Sequence, residues 1–218
     1  FLIMPYFKNA AVPVIFCGLT WTADAYGYPY RNATGMIEVG PIEPLRAEVL
    51  AVVKRARRGA FLSADEITQK KEFSMVQEIY KRRGITMTHT AVDTMAAWQA
   101  AYTAAQDSAD FLVIGNNAGI KDWDNALARR HAFEHGRRFS VAYLDWMAPY
   151  AMLTMAKIAD EQGEWSGKVA LLILDGTPPS KIPVVANRRW NMFVNTRLLD
   201  KSGIRLSPDI LQKAVKVE

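Results

Sequence analysis

Short apolar runs that alternate with stretches of helical period constrain this chain more than any other feature of it. Val12–Leu19 (VPVIFCGL) and Phe111–Gly115 (FLVIG) are continuous and rich in β-branched residues, the pattern of strands covered on both faces. Gly59–Ser63, Ile85–Val92, Phe139–Leu144 and Ala151–Ile158 read as further strands. Between them, Ile42–Ala56, Gln69–Arg83, Thr94–Gln106, Asp122–His135 and Gln162–Leu174 space their apolar residues as helices with one buried face do. Gly84, Gly136 and Gly176 stand where helices should end, Asp122 where one should begin, and Ile182–Asn195 reads as extended. Strands alternating with helices of this length predict parallel βαβ units, hence an α/β fold of doubly wound parallel sheets.

Composition removes other classes. With 218 residues, half of them hydrophobic and 22% charged, the chain can bury a full core or two smaller ones, and disorder and coiled coil are excluded. Cys17 is the one cysteine, so an internal disulfide and a zinc site of several thiolates are excluded too. Inside its apolar strand Cys17 reads as inert packing. No apolar run is long enough for direct membrane insertion, and the opening FLIMPYF reads as the tail of an element that begins upstream. The net charge of +5 raises the question of nucleic acid, but Arg57-Arg58, Lys81-Arg82-Arg83, Arg129-Arg130 and Arg137-Arg138 have no interleaved aromatics to stack bases. No nucleic acid is expected. His131 and His135 lie one helical turn apart beside Glu134, a spacing that suits a metal, yet the four flanking arginines would repel a cation. Neither a metal nor a cofactor is expected, and His89 reads as structural.

In an open parallel sheet, ligands bind beyond the carboxyl ends of the strands. Those positions carry Thr20 and Trp21 with Tyr26 close behind, then Asp65 and Thr68, then Asn116 and Asn117, and finally Asp145 and Trp146. Each also has a plainer explanation. Ser63 with Glu66 fits a capping box, Asp65 suits a helix cap, asparagines suit turns, and either tryptophan could be core. Amides, carboxylates and aromatics at four strand ends together point to a recognition cleft. Catalysis lacks such support: there is no nucleophile elbow, phosphate loop or dinucleotide fingerprint.

The segments PVIFCGLTWTADAYGYPYRNATGMIEV, GNNAGIKDWD, YLDWMAPYA, EQGEWSGKVALLILDG and IPVVANRRWNMFVN, with the closing NTRLLDKSGIRLSPDILQKA, resemble the periplasmic solute-binding proteins of ABC transporters. The branch is uncharacterised and related to aromatic amino acid binding proteins. The resemblance implies a two-lobed type I periplasmic-binding-protein-like fold whose first lobe is incomplete. It assigns residues 1–40 to the end of the first lobe and 41–145 to the second. Residues 146–178 would return to the first lobe, and 179–218 would supply a final strand and helix on the second. It also implies a small, amino-acid-like ligand clamped by hinge closure, an ABC permease as partner, and periplasmic localisation. The site residues it implies coincide with the strand-end set. Two other readings stay open: a sensing domain with a signalling partner, and a small α/β enzyme using Asp65 or Asp145 as base.

Overall fold

A computed structural model describes residues 4–8, 10–24, 27–28 and 30–217. The chain begins with α1 (Met4–Phe7), β1 (Val14–Thr20), β2 (Ala33–Glu38) and α2 (Ile42–Val52). It continues through β3 (Arg58–Ala64), α3 (Ile67–Lys81), β4 (Thr86–Val92), α4 (Met95–Ser108), β5 (Phe111–Ile114), α5 (Asn125–His135) and β6 (Phe139–Ala142). A 3-10 turn (Asp145–Tyr150) precedes β7 (Leu153–Lys157) and α6 (Ala159–Leu174). Last come β8 (Val185–Ala186), β9 (Trp190–Asn195), α7 (Thr196–Ser202), α8 (Pro208–Lys213) and β10 (Val215–Val217).

These elements form two compact units. Unit 1 comprises Phe1–Gly40 and Lys157–Trp190; unit 2 comprises Pro41–Ala156 and Asn191–Glu218. This division differs from the expected one in where the chain changes unit. Residues 146–156 stay in unit 2, because β7 pairs with β6 and the Met152 N–H reaches the Ser140 carbonyl at 2.9 Å. Residues 179–190 belong to unit 1, where β8 pairs with β2 and the Thr34 hydroxyl donates to the Ile182 carbonyl at 2.8 Å.

Unit 1 holds a parallel sheet in the order β1-β2-β8. β1 is not covered on both faces as its composition suggests: Phe16 is buried, but Cys17, Gly18 and Thr20 are exposed. Among the described residues the sheet has three strands with β1 at its edge, so the apolar run outstrips the cover that these residues give it. Cys17 is accordingly a surface thiol, 3.8 Å from the Gln162 carbonyl of α6, and not packed core. Gly18 takes φ +76 at the point where the β1–β2 register slips, a bulge that a side chain would strain.

Unit 2 holds a seven-stranded sheet in the order β10-β9-β7-β6-β5-β3-β4, with β4, β3, β5, β6 and β7 parallel. β5 and β6 are buried along their whole length, as is β3 after Arg58, and strand alternation divides their side chains between two layers. Ala60, Leu62, Leu112, Ile114 and Ala142 pack into one cluster with Trp98 and Tyr102 of α4 and Ala128 and Ala132 of α5. On the other side Phe61 meets Phe73 of α3, and Phe111 stacks on Tyr80. The expected caps shift by a residue or two. Asp124, not Asp122, caps α5 by accepting the Leu127 N–H, while Asp122 accepts the N–H of Met95 at the start of α4. Ser63 and Glu66 form no capping box, since the Ser63 hydroxyl turns to Ala64 and His89 and Glu66 makes no capping bond.

Candidate functional site

In unit 1 the backbone leaves β1 through Thr20 and Trp21. Thr20 is exposed; Trp21 is half-buried, and its N–H donates to the Glu38 carbonyl at 2.9 Å. Trp21 has φ +68, which no other non-glycine among the described residues shares. A bulky residue held there costs on the order of 1–3 kcal/mol, and strain of this kind concentrates at ligand clamps. Trp21, Thr22, Ala23, Asp24 and Tyr28 line a cavity of about 510 Å³ with Ala33 and Ile37 of β2 and the stretch leading to β8, Pro179 and Val184 included. The Tyr28 hydroxyl is buried without a hydrogen-bond partner among the described residues, and burial raises its pKa, with Tyr30 adding to the effect. Tyr26 lies outside the described residues.

In unit 2 the parallel strands β3, β5 and β6 end at one edge of the sheet, so Asp65, Asn116, Asn117, Asp145 and Trp146 follow strand ends on the same side. Thr68 joins them in the exposed first turn of α3. The Ala64 N–H donates to the Asn116 carbonyl at 2.8 Å, which brings the β3 and β5 exits together. Asn116 Oδ1 takes the Ala118 N–H at 2.9 Å, and the Asn117 carbonyl takes that of Ile120, so both asparagines also shape the loop. Asp65 is already paired, 2.7 Å from Lys70 Nζ. Asp145 is exposed and accepts the N–H of Trp146, a residue 51% exposed and so too open for the core.

Two residues at this edge were missed. Gln69 and Lys70 are hidden in the sequence as ordinary members of an amphipathic helix. His89, in the middle of β4, has partners remote in sequence: Nε2 lies 2.9 Å from Ser63 Oγ, and its ring stacks on Phe73 at 4.7 Å. Ser63 Oγ also lies 3.0 Å from the Ala64 carbonyl, which accepts from it.

Burial holds His89 below the ordinary histidine pKa, Lys70 pushing further down and Asp65 opposing. Burial also lowers His131, with His135 adding and the Gln99 carbonyl and Glu134 opposing. The His131 and His135 rings are 4.2 Å apart, but no group of three ligating side chains forms around them among the described residues. A depressed histidine pKa means that the folded state favours the neutral ring. Stability is therefore fully present above about pH 6.5, the unfolded value, and falls as pH drops through the lower folded values. We expect the denaturation midpoint to decline between pH 7.5 and pH 5, and His131→Gln to flatten that decline. A midpoint insensitive to pH would contradict it.

A family model described as ABC transporter substrate binding protein matches residues 7–218. No curated protein sequence matches the chain. Among solved structures, a ligand-free, open substrate binding protein with adhesive properties from Clostridium difficile is similar at 14% identity and TM-score 0.78, over 98% of this chain and 74% of that one. An ABC domain from Streptococcus pneumonia in complex with L-Trp is similar at 16% identity and TM-score 0.63, over 96% and 75%. An ABC transporter solute binding protein from Agrobacterium vitis, bound with α-D-tagatopyranose, gives 15% identity and TM-score 0.54, over 100% and 76%.

Proposed function

The chain belongs to the ABC transporter substrate-binding protein family, of the type I periplasmic binding fold and not an enzyme family, and from that premise we propose that it captures an amino-acid-like solute outside the cytoplasm and delivers it to an ABC permease. The observation that carries this reading is the single carboxyl edge of the unit 2 sheet, where Asp65, Thr68, Asn116, Asn117, Asp145 and Trp146 follow neighbouring strands. In unit 1, Thr20 closes β1 and Trp21 follows it.

The charges favour a zwitterion. Asp65 is neutralised by Lys70, so Asp145 is the carboxylate left to meet an ammonium group. The start of α3, without a side-chain cap, suits a carboxylate. Trp146 offers flat apolar surface to a ring or aliphatic chain. No arginine stands among these strand-end residues, which disfavours a phosphorylated solute. L-Tryptophan, the ligand of one fold neighbour, is a suitable first probe.

Native mass spectrometry of the purified chain, set against its denatured mass, tests capture directly. A solute lost on denaturation gives the ligand's mass. Trp146→Ala is expected to weaken retention of that solute about ten-fold, the worth of one aromatic contact. Unchanged retention would remove Trp146 from the site, and an extended sugar phosphate as the bound mass would overturn the zwitterion reading.

A further inference from the structure

We propose that Gln69 is the positioning residue of the unit 2 edge, a role that rests on reading that edge as the solute-binding surface. Gln69 lies in the first turn of α3 and is 5% exposed. Its Oε1 accepts the N–H of Asn116 at 2.9 Å and the hydroxyl of Tyr143 at 3.0 Å. Asn116 opens the loop after β5; Tyr143 follows β6 directly, two positions before Asp145. One carboxamide oxygen thus ties the start of α3 to the exits of two adjacent strands, and so sets Thr68, Asn116 and Asp145 in register with one another.

The surroundings are shaped around this oxygen. A Cβ at Gly115 would lie 2.5 Å from Gln69 Oε1 and 2.8 Å from Ser63 Cβ, so only glycine lets the β5 exit approach so closely. At the far end of the same loop, a Cβ at Gly119 would lie 2.7 Å from Glu66 Cγ. The loop therefore rests on the start of α3 at both ends. Tyr143 is buried, and burial holds its phenol protonated, with Glu72 pushing the same way; its hydroxyl is a permanent donor to Gln69. A carbonyl oxygen has two lone pairs and serves both donors, while a longer apolar residue would leave two buried donors unpaired.

The test is amide hydrogen exchange followed by NMR on the full chain. In Gln69→Met, the Asn116 amide should exchange about ten-fold faster, the loss of one hydrogen bond of ordinary strength, while Leu112–Ile114 in β5 keep their protection. Gln69→Glu, which keeps an acceptor oxygen at the same reach in either ionisation state, should restore most of the protection. Tyr143→Phe, which cuts the link from its other end, should give an intermediate rate and decides the matter if Gln69→Met does not fold. Unchanged Asn116 exchange, equal acceleration throughout β5, or failure of Gln69→Glu to rescue would each overturn the proposal. A parallel titration with L-tryptophan should show weaker binding in Gln69→Met and recovery in Gln69→Glu. Failure of the unaltered chain to bind L-tryptophan would count against that ligand class alone, because the exchange rates need no ligand.

Discussion

Trp98→Ala is expected to destabilise unit 2 by about 3–5 kcal/mol, a large share of what holds a domain of this size folded. Trp98 is 1% exposed and sits on the buried face of α4. Its ring stacks on Tyr102 at 5.2 Å and takes edge contacts from Trp123 at 5.0 Å and Tyr150 at 6.3 Å. Four elements meet there: α4, the loop before α5, α5 through His131, and the turn after β6. Truncation would lose the ring's transfer free energy and leave a cavity walled by other rings. Rigid aromatics collapse poorly into such a void, which places the loss in the upper part of the range. Urea denaturation of the variant against the parent chain measures it, and a loss below about 1 kcal/mol would mean that the α4–α5 layer repacks freely.

Gly35→Ala should damage unit 1 and spare unit 2. Gly35 lies opposite Phe16 in the β1–β2 pairing, and an added Cβ would stand 2.3 Å from Phe16 Cδ2 and 2.4 Å from the Phe16 carbonyl oxygen. A ring can rotate away, whereas a backbone oxygen within a sheet cannot. Overpacking of this kind costs about 1–3 kcal/mol, and the fixed oxygen argues for the top of that range. The double variant Phe16→Ala, Gly35→Ala separates the two contacts: if the backbone oxygen dominates, removing the ring rescues little. Exchange rates should rise for amides of β1 and β2 and hold for those of β5, and uniform acceleration would contradict the assignment.

Much of the architecture is legible in the order of residues, because parallel strands buried on both faces must be continuous apolar runs. FLVIG at 111–115 announces β5 almost to the residue. The same logic misreads β1, since a run of apolar residues states what a strand could bury and not how much cover it finds. The strand-end residues were identifiable because a parallel sheet presents all its carboxyl ends at one edge, so Asp65, Asn116 and Asp145 needed only a correct list of strands. Their partners were not identifiable. The Lys70 that neutralises Asp65 and the Gln69 that meets Asn116 and Tyr143 act through contacts of tertiary structure, and in sequence they look like any polar positions of a helix. The serine partner of His89 was hidden in the same way, lying on the neighbouring strand.

The interrupted course of the chain through unit 1 has a consequence for biosynthesis. β1 and β2 leave the ribosome before residues 41–156, whereas α6 and β8, which pack against them and join their sheet, follow only after that stretch. Until then β1 and β2 lack the cover of α6 and the pairing of β8, and exposed apolar surface and strand edge of this kind is what chaperones bind. Unit 2 gathers most of its sheet from one continuous stretch and can condense first, lending a folded anchor that shortens the search for the late-arriving helix.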